Sequence, residues 1–132
     1  LLESALKILS GIDRLLESHP TWRLERWITF ARNWGDLPEE KNYYESNAKR
    51  LITTWGGGIN EYAAKTWSGL IRDYYLPRWQ LYYHYKNRGE VFNILAWEEK
   101  WIETPGVSSL QPFDNPVEEA FKLFNEHHNQ NR

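Results

Sequence analysis

Cysteine is absent from this chain, which removes disulfides, thiolate metal sites and thiol nucleophiles from consideration. Methionine is absent as well, and the chain opens inside an apolar-periodic segment, so a piece cut from a longer protein is expected. Basic runs are missing and the formal charge is -2, so counterion release from a phosphate backbone has no source and nucleic acid is not an expected partner. No apolar stretch nears the roughly 20 residues that span a bilayer, and the start lacks the charged-then-apolar layout of a signal peptide, so no membrane partner is expected. Sustained two-residue alternation is missing too, so no strand is predicted. Nor does any longer period recur as a solenoid would require.

What the chain has in excess is aromatic side chains, 16% of its 132 residues, with 8 Trp and 8 Tyr. They recur at helical spacing, as groups that fill wide gaps between helices do. Residues 1 to 17 place Leu2, Ala5, Leu6, Leu9, Ile12 and Leu16 on one face, with Glu3, Lys7 and Asp13 read as lying away from it. Ser18-His19-Pro20 breaks that helix, with Ser18 or Thr21 available as a cap. The next stripe is Leu24, Trp27, Ile28, Ala31 and Trp34, closed by Gly35. Asp36-Leu37-Pro38-Glu39 reads as a capping box that opens a third helix, whose stripe is Tyr44, Ala48, Leu51, Ile52 and Trp55.

Gly56 to Gly58 then force a turn, because glycine takes positive φ without steric cost. From Asn60 a fourth, long helix is expected through Ala63, Trp67, Leu70, Ile71 and Tyr74, bent near Pro77 and continuing past Trp79, Tyr82 and Tyr83 to a stop at Gly89. Val91 to Ile102 give a well-covered fifth helix, and Thr104 to Asp114 a loop. Asn115-Pro116-Val117-Glu118 opens a short last helix formed by Val117, Ala120, Phe121 and Phe124, with a frayed end from His127. The fold class expected is all-α: one domain over residues 1–132, an antiparallel bundle of about five or six helices around one long, Pro-bent central helix.

Glycoside hydrolysis needs two carboxyl groups facing one bond. The acidic pairs Glu39-Glu40, Glu98-Glu99 and Glu118-Glu119 are helix neighbours pointing about 100° apart, so they read as solvated faces and no catalytic residue is predicted. His127 and His128 are adjacent while His19 and His84 are far apart, so no metal site is expected. Gly56-Gly57-Gly58 follows a helix and lacks the Gly-Lys-Ser/Thr ending of a phosphate loop, so no cofactor is expected. Trp55, Ile59 and Tyr62 flank a loop, where an exposed aromatic can serve as a platform for a sugar ring. Arg78, beside Pro77, reads as structural, bonding carbonyls freed near the bend.

The ordered set Tyr44-Glu45-x-Asn47, Leu51 to Trp55, the glycine turn, Ile59, Tyr62-Ala63, Leu70 and Tyr74-Tyr75-x-Pro77-Arg78-Trp79 resembles the C-terminal helical domain of the α-N-acetylglucosaminidases, glycoside hydrolase family 89. The likeness is good over roughly Leu15 to Tyr85 and looser beyond, and the glycine turn is shorter than in the lysosomal members. The resemblance implies that the chain is the C-terminal part of a multidomain glycoside hydrolase that removes terminal α-linked N-acetylglucosamine from glycans such as heparan sulfate. It implies catalytic glutamates on a separate barrel domain of the same polypeptide, and a loop bearing Trp55, Ile59 and Tyr62 as substrate-binding residues. It further implies a secreted, periplasmic or lysosomal setting. A chain that normally docks on such a barrel should keep an apolar face rich in Trp or Tyr exposed. The competing expectation is a stand-alone helical module that binds protein or carbohydrate without catalysis.

Overall fold

The computed structural model describes residues 1–56 and 64–130. Six α-helices and no strand are formed among the described residues: α1 (Leu2–Leu16), α2 (Leu24–Arg32), α3 (Pro38–Leu51), α4 (Leu76–Asn87), α5 (Ile94–Glu103) and α6 (Pro116–Gln130). Helix α2 packs on α3, α3 on α5, α4 on α5, and α1 on both α6 and the start of the central helix. Leu24 and Ile28 of α2, Ala48 and Ile52 from α3 and its end, and Leu70 and Tyr74 make the core. Tyr74 is fully buried, with the rings of Trp101, Tyr75 and Trp97 centred 4.8, 5.2 and 5.6 Å from its own. The abundance of aromatics therefore serves the core at its centre, as their volume suggests.

The long central helix is present but starts later than its periodicity suggests. Residues 64–67 are not helical, and Ser68 instead pairs with the segment before α2: its N–H donates to Trp22 O at 2.7 Å, and its carbonyl accepts from Leu24 N at 2.9 Å. Trp67 still reaches the core, 6.0 Å from Trp27, from irregular backbone. Asn60 and Ala63, the expected beginning, lie outside the described residues.

Gly69 has φ +88°, and a Cβ there would stand 3.2 Å from Leu24 Cβ, so both conformation and space demand glycine where the helix begins. A wide turn over Ile71–Tyr75 follows, in which Leu76 N donates five residues back to Ile71 O, and α4 continues without a break. Pro77 explains it. Its ring would crowd the Asp73 carbonyl in a regular helix, and the wider turn accommodates it.

Several caps and faces differ from expectation for identifiable reasons. The turn before α2, Pro20–Trp22, is capped by His19, whose Nδ1 accepts from Thr21 N, and not by Ser18 or Thr21. Gly35 is needed for close approach to α3: a Cβ would lie 2.7 Å from Lys41 N. The box at α3 is shifted by one residue, since Glu40 and not Glu39 reaches back to Asp36 N and Leu37 N. Those two amides hold the Glu40 carboxyl below its ordinary value.

Helix α6 is longer than expected, with Val117, Phe121 and Phe124 each 65% exposed while Leu123 faces Gly11 of α1. Its start is as expected, Asn115 Oδ1 accepting from Glu118 N. In the fifth helix Asn93 caps α5, and Val91 and Leu95 are exposed, so the coverage is thinner than the apolar arc suggests.

Candidate functional site at the end of α3

The loop that carries Trp55 stands on a buried pedestal. Helix α3 ends at Leu51, and the next three residues, Ile52, Thr53 and Thr54, are buried. Thr53 Oγ1 donates to Lys49 O at 2.7 Å, which holds the turn to the last helical carbonyls. Trp55 N donates to Arg50 O at 2.9 Å. Among the described residues Trp55 is the only non-glycine with positive φ, +58°, and Gly56 follows at +73°. The left-handed conformation costs a side-chain-bearing residue about 1–2 kcal/mol. The side chain it holds is 47% exposed. Trp55 thus lies four residues past the end of α3 and is presented to solvent. Ile59 and Tyr62, the other two residues of the expected platform, lie outside the described residues.

Beneath the loop, Arg50 spans from α3 to Glu99 of α5 at 2.7 Å. Deeper in, two charge clusters fix the framework. Glu45 of α3 is 1% exposed; its Oε1 accepts from Lys49 Nζ at 2.9 Å and from Gly106 N at 2.6 Å, and its Oε2 accepts from Arg32. Lys49 Nζ also donates to Thr104 O and Gly106 O, so α3 clasps the chain that leaves α5. Burial pushes the Glu45 carboxyl upward, but Lys49, the Gly106 amide and Arg32 together hold it below the ordinary carboxylate value.

The second cluster is centred on Asp13 of α1. Its Oδ2 accepts from Gly69 N at 2.8 Å and Arg72 N at 2.9 Å, capping the central helix from another helix, while Oδ1 meets the Arg72 guanidinium. Here burial outweighs the donors and moves the carboxyl up from its ordinary value.

Asp13 therefore lies inside and not away from the core, a correction to its reading as a solvent-facing residue. Asp13 and Glu17 both reach Ser68 Oγ, so a convergent acidic pair does exist. The two are 1% and 3% exposed and committed to Arg72 and Arg23, where no substrate reaches them. Glu98 is likewise buried, at 3% exposure, and pairs with Arg78 at 3.0 Å, which corrects its reading as part of a solvated face. Arg78 is tied to that carboxylate and to the Tyr74 hydroxyl. Among the described residues, no group of three or more His, Asp or Glu could hold a metal, and no helix is long and apolar enough to cross a membrane.

Beside the Trp55 end, α2 and α3 enclose a groove of about 350 Å³ lined by Phe30, Trp34, Tyr44, Asn47 and Leu51. Phe30 is 54% and Trp34 79% exposed. An apolar, aromatic-rich face is therefore open, as expected of a helical domain that is covered by something else.

These features define an all-α domain with an exposed tryptophan just past α3 and an uncovered groove between α2 and α3. The chain belongs to the family of α-N-acetylglucosaminidase (NAGLU) C-terminal domains, whose model matches residues 2–126. It is 36% identical over 80 residues to human α-N-acetylglucosaminidase, covering 59% of this chain and 11% of the human protein. A family 89 glycoside hydrolase from Clostridium perfringens in complex with PUGNAc superposes with a TM-score of 0.81 at 25% identity, over 92% of this chain and 16% of that one. The same bacterial enzyme in complex with its substrate GlcNAc-α-1,4-galactose gives a TM-score of 0.80 at 24% identity, over 93% and 16%. The chain thus spans about a tenth to a sixth of the length of these relatives.

Proposed function

We propose that this chain is the helical C-terminal part of an exo-acting α-N-acetylglucosaminidase, packed on a catalytic barrel of the same polypeptide and lending Trp55 to the wall of its pocket. The substrate would be a glycan ending in α-linked N-acetylglucosamine, of heparan type or related. The observation that carries the reading is Trp55 itself, an exposed indole on a buried pedestal, kept in a backbone conformation that glycine would adopt more cheaply. Its exposed part offers a flat apolar surface on which a sugar ring can stack. The open α2–α3 groove supports docking of the remaining polypeptide on this domain. In this arrangement the chain performs no bond cleavage. It supplies a rigid apolar surface for the sugar ring, excludes water from one side of the pocket and orients the terminal residue toward carboxylates held elsewhere.

The test is Trp55→Ala in the complete enzyme with a chromogenic α-N-acetylglucosaminide. Loss of a stacking surface should lower kcat/KM about 5- to 150-fold, the equivalent of about 1–3 kcal/mol, with the helical content unchanged. Unchanged kcat/KM together with a lowered Tm would return Trp55 to a purely structural role.

A further inference from the structure

Asp13 and Glu17, an i, i+4 pair at the end of α1, both reach one oxygen. Ser68 Oγ lies 3.4 Å from Asp13 Oδ1 and also meets Glu17 Oε2. Asp13, Glu17 and Ser68 are 1%, 3% and 1% exposed. A hydroxyl carries one hydrogen, so Ser68 donates to one carboxylate at a time and turns lone pairs toward the other. Two ionised carboxylates held this close in a buried place repel each other, and the repulsion is relieved when one of them keeps its proton.

The surroundings do not supply the balancing charge. Asp13 is well served, by the Gly69 and Arg72 amides at Oδ2 and the Arg72 guanidinium at Oδ1. Glu17 is not. Arg23 Nε stands 3.7 Å from its Oε1 and Arg72 Nη1 3.8 Å from its Oε2, beyond hydrogen-bond reach, so among the described residues Ser68 alone bonds to this carboxyl group. Asp73 adds a third carboxylate, 3.7 Å from Arg72 Nε. Asp13, Glu17 and Asp73 therefore share two guanidinium groups, Arg23 and Arg72, and one added proton makes the cluster neutral. Neighbouring charges are engaged elsewhere, Arg14 over the Phe113 ring at 4.0 Å and Glu126 of α6 with Lys7 at 3.4 Å. Helices α4 and α6, which also pack on α1, bring no ion pair to Asp13 or Glu17 among the described residues.

We propose that Asp13 and Glu17 hold one proton between them at Ser68 Oγ, and that this proton locks α1 to the start of the central helix. It belongs to the pair and not to either residue. With the proton in place, one carboxylic acid donates to Ser68 Oγ while the Ser68 hydroxyl donates to the other carboxylate. When it leaves to solvent, a net negative charge is buried at the junction. The Arg72 guanidinium, which also holds Ser108 Oγ and O, then stands between competing carboxylates. Burial raises the Asp13 carboxyl, a shift in the same direction. A proton held more tightly in the folded state contributes stability that is lost as pH rises, so the junction is a pH-sensitive lock, closed in acid and weakened as the proton departs.

The experiment follows the Asp13 and Glu17 carboxyl carbons by carbon-13 NMR across pH in the parent chain, beside urea unfolding of the parent and of Glu17→Gln. One titration step above the ordinary carboxylate range should move both carbons, and the stability of the parent should decline through it. Glu17→Gln carries an N–H donor to Ser68 Oγ at every pH. That decline should therefore be absent from the variant, which should match or exceed the parent in stability above the step. The proposal is overturned if the two carbons titrate in independent steps within the ordinary range, or if Glu17→Gln keeps the pH dependence of the parent. It is overturned as well if Glu17→Gln is less stable than the parent at every pH, because Glu17 then acts as a plain anion beside Arg23 and Arg72.

Discussion

The two faces of α3 reverse the usual arrangement. The inward face carries Glu45 and Lys49, each 1% exposed, beside Ala48, whereas the outward face carries Tyr43 at 64% exposure, Tyr44 at 37% and Leu51 at 49%. Charge lies inside because every donor and acceptor of the pair has a partner: Arg32 and the Gly106 amide for Glu45, two carbonyls for Lys49. A buried pair of this kind is tolerated and specifies geometry more than it stabilises. Aromatic rings lie outside, left exposed by the described residues. The difference teaches that the inward face fixes where α3 and the Thr104–Gly106 segment sit, while the outward face and the Trp55 loop are surfaces for contact beyond the domain.

The largest effect that should break this contrast is on the inward face. Lys49→Met leaves the Thr104 and Gly106 carbonyls without their ammonium donor and weakens the balance around Glu45, so a loss of about 3–5 kcal/mol is expected in urea unfolding. Adding Glu45→Leu to Lys49→Met should recover part of it, because both buried charges are then gone; a double variant less stable than the single would contradict this account.

At the start of the central helix, Gly69→Ala combines positive φ with a contact to Leu24, and about 1–2 kcal/mol should be lost, read from the thermal midpoint.

The pH dependence sharpens the comparison further. Glu45 has a folded-state pKa below its reference of 4.5, so its contribution is fully present above that value and is lost as pH falls through the lower folded pKa. Asp13 has the opposite sign: raised above its reference of 3.8, it contributes below that value and loses its contribution as pH rises through the folded pKa. Stability measured between pH 3 and pH 6 should therefore fall less steeply on acidification in Glu45→Gln than in the parent protein.

The smallest effect belongs to the outward face. Trp34→Ser should change the stability of this chain by about 0.5 kcal/mol or less.

The sequence makes the helical class, the loop between α5 and α6, the Asn115 cap and the place of the Pro-containing helix legible, because those follow from periodicity and turn chemistry. Of the four buried carboxylates, Asp13, Glu17, Glu45 and Glu98, three have positions that announce them. Asp13 continues the spacing of Leu6 and Leu9 toward Leu16, Glu45 precedes Ala48 and Ile52 on one stripe, and Glu98 stands between Ile94 and Ile102. Asp13 and Glu98 read as outward by residue type, whereas a carboxylate on an apolar stripe calls for a basic partner elsewhere, supplied to Asp13, Glu45 and Glu98 by Arg72, Lys49 and Arg78.

The outward-turned face of α6 was not legible for the converse reason. Val117, Phe121 and Phe124 are periodic and apolar, and periodicity marks a face that will be covered without saying whether this domain covers it. Of the candidate site, the presentation of Trp55 was legible from the glycine turn, but its positive φ was not, since no local rule puts a tryptophan there.

The clasp made by Asp13 has a kinetic consequence. It joins residues 56 apart to Gly69 and 59 apart to Arg72, and the Glu45–Gly106 bond closes a span of 61. Closing a flexible loop of that length costs on the order of 3–4 kcal/mol of chain entropy before any contact is returned. A helical bundle is usually a fast folder because its contacts are local. Here the central helix acquires its cap only once α1 has met it across more than a third of the chain, so the cap is a non-local contact that adds to the loop-closure cost of an otherwise local bundle.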